Sequence, residues 1–138
     1  MVKVMWKGGL AFEAEAPSGS KFVMDALPEG DGAGLGPGPM QALLGAVAAC
    51  SAMDVVLILQ KMRQQLISYR IEIEGERPPQ GQLPRPYTSI TVRHILTGSN
   101  LDGEAVKRAV ELSDEKYCSV IATLRASPAI SSEWRIEP

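Results

Sequence analysis

The fold of this 138-residue chain is decided by residues 39–64, which read PMQALLGAVAACSAMDVVLILQKMRQ. The run contains no proline after Pro39 and a single glycine, Gly45, and proline suits the first turn of a helix. Apolar side chains recur at steps of three and four and occupy nearly every side, which predicts a long buried helix over residues 40–64. The small side chains of residues 45–52 would let a second helix or a partner subunit approach closely.

Alternating apolar and polar side chains lie on both sides of this helix and predict strands. Residues 2–26 alternate and are interrupted by two glycine-containing turns, which predicts a three-stranded antiparallel meander. Residues 66–75 and 87–96 alternate in the same way, so we expect a hairpin with a long connection rich in proline and glycine. The strands and the helix together predict an α+β fold.

The last third of the chain predicts two more helices and a final strand. Asn100 or Asp102 can cap the first of these helices, because a short polar side chain accepts a hydrogen bond from the exposed N–H groups of the first turn. Residues 120–126 predict a short third helix, and residues 133–136 predict the last strand. The length fits one domain over residues 1–138.

Composition and charge exclude several classes of function. The formal net charge is −2, with 14 basic residues scattered among 16 acidic ones, which argues against binding to nucleic acid. The apolar run Ala42–Met53 is too short to span a bilayer, and the charged Asp54 follows it. The first residues enter a polar alternating pattern with no secretory leader. We therefore expect a cytoplasmic protein that associates with no membrane.

The two cysteines, Cys50 and Cys118, are the candidate chemical site. In a reducing cytosol such cysteines are more often free thiols or a transient redox pair than a structural disulfide. Cys118 lies where one predicted helix ends and another begins, and a helix N-terminus stabilises a thiolate, so the residues alone favour Cys118 as the more reactive thiol. The structural alternative is that both are inert core thiols, since cysteine is among the most buried residue types.

Two stretches around these cysteines resemble a known family. Residues 36–50, GPGPMQALLGAVAAC, resemble the central-helix motif of the OsmC/Ohr family of osmotically induced and organic-hydroperoxide-resistance proteins, and residues 110–120, VELSDEKYCSV, are similar to its second cysteine motif. The resemblance implies an intertwined homodimer and an oxidative-stress function. It also implies that Cys50 is the peroxidatic thiol that attacks a small apolar organic hydroperoxide. Cys118 would then resolve the sulfenic acid to a disulfide, which an external dithiol reduces.

The chain departs from the pattern of the Ohr and OsmC branches at one charged pair. Where those branches carry a glutamate ten residues before the helix cysteine, paired with an N-terminal arginine, this chain has Met40 followed by Gln41, and no arginine precedes Arg63. The chain is therefore similar to an OsmC-like branch without the pair. The candidate pocket comprises Met40, Gln41, Asp54 and Arg125. Two alternatives to a peroxidase stay open: a redox sensor or binding protein for a small apolar ligand, and a purely stabilising role for the cysteines.

Other chemistry has little support in the sequence. His94 is the only histidine and falls on the apolar face of a predicted strand, which favours a structural role. One histidine and two cysteines far apart in sequence lack the ligand spacing of a zinc centre, so we expect no metal. No glycine-rich loop has a phosphate-binding or dinucleotide-binding form, so we expect no cofactor.

Overall fold

The computed structural model describes residues 1–137, and the chain separates into two compact units. One unit comprises residues 1–48 and 72–93, and the other comprises residues 49–71 and the chain from residue 94 onwards. The single domain expected over residues 1–138 stays a prediction. Residues 1–137 contain three α-helices and two β-sheets, which confirms the predicted α+β class.

The first unit contains the predicted antiparallel meander. Its strands are β1 (Lys3–Trp6), β2 (Phe12–Glu15) and β3 (Lys21–Met24), with β2 in the middle. The register pairs Val4 with Ala14 and Ala14 with Phe22, and Ala14 is buried. The turn between β1 and β2 has φ angles of 99° at Gly8 and 55° at Gly9, a conformation that glycine adopts without steric cost. The turn glycines therefore set the register of the meander.

A buried aspartate fixes the glycine-rich loop that follows β3. Asp25 is 1% exposed, and its Oδ2 accepts hydrogen bonds from the backbone N–H groups of Ala33 at 3.2 Å and Leu35 at 3.1 Å. The loop contains a 3₁₀ turn at Pro28–Gly30 and passes close to β3, since a Cβ placed on Gly36 would lie 2.1 Å from the Val23 carbonyl oxygen. The loop is thus held by one carboxylate and by close backbone packing.

The long helix α1 spans Pro39–Lys61 and begins at the predicted proline. It ends before residue 64 because Arg63 adopts a left-handed conformation with φ 56°. The Gln64 N–H donates to the Leu59 carbonyl at 2.9 Å, and the Arg63 N–H donates to the Gln60 carbonyl at 3.0 Å. These two bonds are those of a Schellman C-cap, where glycine is the usual residue. An arginine at that position gave no signal of the stop.

Within a single chain, α1 is buried along one side only. One line of residues four apart is buried, while other apolar positions are open: Met53 is 65% exposed and Leu57 is 56% exposed. The buried line consists of Val47, Ser51, Val55 and Leu59. With 23 residues, α1 is also long and apolar enough to cross a membrane by length and composition, a test that core helices of soluble proteins also pass. The apolar helix is therefore longer than the run Ala42–Met53, which was judged too short to span a bilayer.

The second unit packs two helices and the ends of two strands around α1. The strands β4 (Gln65–Glu76) and β5 (Ser89–Ser99) pair as the predicted hairpin, and the helices are α2 (Gly103–Leu112) and α3 (Ser119–Ala126). Val55, Leu59 and Ala109 form the buried centre of the core, against which partly buried residues of the strands and α2 pack. This core brings the C-terminal part of α1 against α2.

The helix ends of the second unit follow the sequence signals, whereas the predicted last strand is absent. Asp102 caps α2, since its side chain accepts a hydrogen bond from the Glu104 N–H at 3.0 Å. Residues 133–136 form no strand in the described chain, and Trp134 is 86% exposed. An apolar and polar alternation without a neighbouring strand has no ladder of hydrogen bonds to stabilise it.

Candidate functional site

The structure brings the two cysteines together beside an aspartate. The Sγ atoms of Cys50 and Cys118 and a carboxylate oxygen of Asp54 all lie within 4.8 Å of one another, and both thiols are free. Cys50 and Asp54 lie four residues apart on α1 and so share one face of the helix. Cys118 comes from the start of α3, 68 residues further along the chain than Cys50. The cluster thus joins two helices of the second unit.

A π-helical turn positions Cys118. This turn spans Ser113–Tyr117 after α2, and the Cys118 N–H donates to the Ser113 carbonyl at 2.9 Å. Cys118 then caps α3, with its Sγ accepting a hydrogen bond from the Ile121 N–H at 3.5 Å. The predicted location of Cys118 at a helix N-terminus is confirmed. Turns of this kind occur often at functional sites because they redirect a single side chain.

The two thiols differ in exposure. Cys118 is 3% exposed, whereas Cys50 is partly exposed. Burial raises the pKa of the Cys118 thiol; the Ile121 N–H opposes this rise, and the neighbouring Cys50 adds to it. At Cys118, burial therefore opposes the stabilisation of a thiolate by the helix N-terminus, and the greater reactivity of this thiol stays a prediction. The more accessible sulfur is that of Cys50.

A buried pair of serines holds the aspartate of the cluster. Ser51 and Ser113 are fully buried, and the Ser113 hydroxyl donates to Asp54 Oδ2 at 3.0 Å. Ser113 Oγ also lies 3.2 Å from Ser51 Oγ. The sequence analysis missed both serines as part of the site. Each serine is a polar residue on an otherwise apolar helix stripe, and this pattern could have revealed them. A polar side chain in a core requires a hydrogen-bond partner.

The other predicted pocket residues are distributed over both units. At the start of α1, the Met40 carbonyl accepts a hydrogen bond from the Tyr87 hydroxyl at 3.0 Å, and the Gln41 side chain accepts one from the Gly38 N–H at 3.0 Å. Both therefore organise the entry of the chain into α1. In the second unit, Arg125 donates to the Asp114 carbonyl at 2.8 Å and lines a cavity of about 370 Å³ that Cys118 also lines.

A second, mainly apolar cavity adjoins the cluster. It measures about 360 Å³ and runs along α1 from Asp54 to Lys61, with Leu112 and Tyr117 on the other side. Leu57, Ile58 and Met62 complete its lining. The cavity offers apolar contacts next to the cluster and one ammonium group at its far end. The part of α1 that follows Cys50 therefore lines a cavity next to the cluster.

His94 forms a pair with a tyrosine within the second unit. Its Nδ1 lies 2.5 Å from the Tyr69 hydroxyl, and the two rings are stacked with centroids 6.0 Å apart. Burial lowers the pKa of His94, which the charge of Asp114 partly offsets, and burial raises the pKa of Tyr69 to about 12. This arrangement fits the structural role expected for His94.

The sequence argument against a metal site rested on the long separation of the cysteines, and the folded chain removes that separation. Cys50, Cys118 and Asp54 offer three donor atoms to one point in space. Two thiolate sulfurs and a carboxylate oxygen are ligands that zinc accepts. The helix packing that creates this cluster is a long-range feature that ligand spacing along the chain does not report.

Comparison with known proteins decides the family. The sequence profile described as OsmC-like protein matches residues 30–133, which is most of the chain and includes both cysteine motifs. The chain belongs to the OsmC-like family. The resemblance drawn from the cysteine motifs is thereby confirmed.

Several known proteins resemble this OsmC-like chain in sequence or in fold. Protein YhfA of Escherichia coli K12 is 40% identical over 134 residues, covering 97% of this chain and 96% of YhfA. A hypothetical protein from Aquifex aeolicus is 29% identical with a TM-score of 0.77, covering 92% of this chain and 87% of that protein. An organic hydroperoxide resistance protein OsmC from Legionella pneumophila is 17% identical with a TM-score of 0.66. The match covers 91% of this chain and 89% of that protein. At this last identity the likeness shows the fold alone.

Proposed function

We propose that this protein is a thiol-dependent peroxidase that reduces organic hydroperoxides through Cys50, with Cys118 as the resolving thiol. The observation that carries the proposal is the pair of free thiols within 4.8 Å of each other, one partly exposed and one buried. An exposed sulfur can meet a substrate, and a buried neighbour can trap the oxidised product before it oxidises further. The Legionella relative is named for organic hydroperoxide resistance, which supports this choice.

The reaction follows in two steps. The Cys50 thiolate attacks one peroxide oxygen, so that an S–O bond forms, the O–O bond breaks, and the alkoxide leaves as an alcohol after taking a proton. The Cys118 sulfur then attacks the Cys50 sulfenic acid, forming the S–S bond and releasing water. A disulfide needs the sulfurs about 2.05 Å apart, so side-chain rotation and a small helix shift must close the gap. An external dithiol completes the cycle by reducing the disulfide.

The apolar cavity beside Asp54 supports an apolar hydroperoxide as the substrate. Its volume of about 360 Å³ and its leucine, isoleucine and methionine lining favour an alkyl chain over hydrogen peroxide. The Lys61 ammonium at the far end adds a site for a carboxylate or another polar end of the substrate.

We place the reaction in the cytoplasm, because the OsmC-like proteins are soluble and the chemistry needs reduced thiols.

The exposed apolar side of α1 supports a homodimer. Met53 and Leu57 lie on this side at 65% and 56% exposure, and apolar surface of this kind is expensive in water. Against a second copy of the chain, the small residues of 45–52 would permit close helix packing. The same contact would bury the helix on all sides, as its composition predicts.

A second candidate function is a redox sensor or a binding protein for a small apolar ligand. The departure from the Ohr pattern favours it, since Met40 is uncharged and no arginine precedes Arg63. Without the guanidinium, the thiolate of Cys50 lacks its expected charge partner, and lysine is a poorer bidentate partner than arginine. Slow reaction with hydroperoxide and tight binding of an alkyl ligand would be the signature of this alternative.

A single-turnover experiment with three proteins tests the proposal. The reduced wild type and the Cys50→Ser and Cys118→Ser variants are each mixed with cumene hydroperoxide in the presence of dimedone, which traps sulfenic acids. We expect a dimedone adduct on Cys50 in the Cys118→Ser protein and cumyl alcohol in equal amount. The Cys50→Ser variant should form neither product. Equal consumption of hydroperoxide by the Cys50→Ser variant would refute the assignment of Cys50.

A further inference from the structure

The three donor atoms of the cluster have a chemistry that the peroxidase proposal does not use. Cys50, Cys118 and Asp54 lie within 4.8 Å of one another and offer two sulfurs and one carboxylate oxygen. Calcium and magnesium select oxygen ligands, so this set excludes them. Soft sulfur donors together with one carboxylate select zinc among the common divalent cations. We propose that the reduced thiol pair and Asp54 bind one zinc ion, and that oxidation of the pair to a disulfide releases it.

The separation of the donors is close to that of a zinc site. Zinc bonds of about 2.3 Å to sulfur and about 2.0–2.2 Å to oxygen set tetrahedral ligand atoms roughly 3.5–3.8 Å apart. Since no two of the donor atoms are more than 4.8 Å apart, they need to approach by at most about 1 Å, which small side-chain rotations supply. Cys50 and Asp54 are four residues apart on one helix face, and the cap of α3 fixes Cys118. The two halves of the site are therefore already aligned.

Hydrogen-bond donors contact two of the three proposed ligands. The Ser113 hydroxyl donates to Asp54 Oδ2 at 3.0 Å, which orients the carboxylate and leaves its other oxygen for the metal. The Ile121 N–H donates to Cys118 Sγ at 3.5 Å, a contact that stabilises a thiolate. Because Cys50 is partly exposed, the fourth position of the metal faces solvent and would take a water molecule.

Metal and disulfide exclude each other at this site, because both need the same two sulfur lone pairs. Zinc binding releases two thiol protons. Oxidation by a hydroperoxide takes two electrons from the sulfurs and consumes two protons, and it yields the disulfide, free Zn²⁺, one alcohol and one water. Release of zinc by a hydroperoxide rests on the proposed peroxidase function, whereas zinc binding itself does not. A diazene thiol oxidant makes the same disulfide and is reduced to the hydrazine, so it tests release independently of any peroxidase activity.

The experiment is a metal titration of the full-length protein, reduced and freed of metal. Zn²⁺ is added against a chromophoric chelator, and Co²⁺ is used as a spectroscopic probe of thiolate ligation. We expect one Zn²⁺ per chain and a sulfur-to-cobalt charge-transfer band. Affinity should fall at least about 100-fold in Cys50→Ser and in Cys118→Ser, and about 10-fold in Asp54→Asn, which keeps the hydrogen bond with Ser113. The diazene oxidant should release the bound Zn²⁺ in step with disulfide formation.

Controls make each outcome decisive. Asp31→Asn removes the same charge from an exposed aspartate of the first unit and should leave the affinity unchanged. Circular dichroism melts of all variants establish that a lost site is not a lost fold. Wild-type affinity in Cys118→Ser, an equal loss in Asp31→Asn, or Zn²⁺ retained after disulfide formation would each overturn the inference. Release by the diazene but none by hydroperoxide would keep the inference and remove the peroxidase proposal.

Discussion

The two units each hold a buried or half-buried aspartate, and the contrast between them separates a structural carboxylate from a chemical one. The Oδ2 of Asp25 accepts hydrogen bonds from two backbone N–H groups, those of Ala33 and Leu35, and so fixes a loop. Asp54 accepts from one side chain, that of Ser113, and lies beside two thiols. Residue type does not distinguish the two roles. The atoms around each carboxylate distinguish the two roles. Backbone partners hold the chain in place, whereas neighbouring thiols can react or bind a metal.

The largest expected effect concerns Asp25, the carboxylate that fixes the loop of the first unit. Asp25→Ala leaves two loop N–H groups without their acceptor, so we expect a loss of about 3 kcal/mol in the free energy of unfolding. Asp25→Asn keeps an acceptor oxygen for the loop and should lose less. Urea denaturation followed by circular dichroism measures both. A loss below about 0.5 kcal/mol in Asp25→Ala would show that close packing alone holds the loop.

The next largest effect concerns Asp54, the carboxylate beside the two thiols. Ser113→Ala removes the buried hydroxyl that donates to Asp54, and we expect a loss of about 1–2 kcal/mol in unfolding free energy, since a charge-assisted hydrogen bond disappears. Ser119→Ala, at an exposed position on α3, is the matched control and should change little. Chemical denaturation of the two variants is the measurement. Equal stability of both would mean that Asp54 finds another donor.

A smaller effect compares the two thiols. Cys118 is 3% exposed and its pKa is raised by burial, whereas Cys50 is partly exposed. We therefore expect iodoacetamide to alkylate Cys50 at least about 10-fold faster than Cys118, a difference of about 1.4 kcal/mol in activation free energy. Mass spectrometry of peptides from quenched time points gives both rates. Faster labelling of Cys118 would contradict the burial that the structure assigns to it.

The smallest effect concerns pH and the His94–Tyr69 pair. Burial lowers the pKa of His94 in the folded chain, so His94 favours folding above its ordinary pKa of about 6.5, and this contribution is lost as the pH falls below that value. We expect the wild type to lose more stability than His94→Gln between pH 7 and pH 5. Urea midpoints at the two pH values measure the difference. A steeper pH dependence in the variant would reverse the sign of the argument.

The features that were predicted from sequence are those that depend on neighbours along the chain. The start of α1 at Pro39, the meander with its glycine turns and the cap at Asp102 are all local, and all three are confirmed. The end of α1 was missed because Arg63 took a left-handed conformation that usually signals glycine. Local chemistry thus predicts where elements begin better than where they end.

The site itself depended on contacts that sequence spacing does not encode. The motifs around Cys50 and Cys118 predicted a related pair, but only packing of α1 against α2 and the π-helical turn brings their sulfurs together. The same packing recruits Ser113 and brings Asp54 into the cluster. The exposure of Met53 was missed for the opposite reason, since composition reports how apolar a helix is and not what covers it.

The most direct test of the thiol-pair proposal is peptide mass mapping of the reduced protein after one equivalent of cumene hydroperoxide. The account predicts rapid formation of a Cys50–Cys118 disulfide within the chain, formed faster than with hydrogen peroxide and absent from both serine variants. Two thiols that remain reduced over many minutes at neutral pH would contradict it. That result would favour the ligand-binding alternative and would leave the zinc site to be tested on its own.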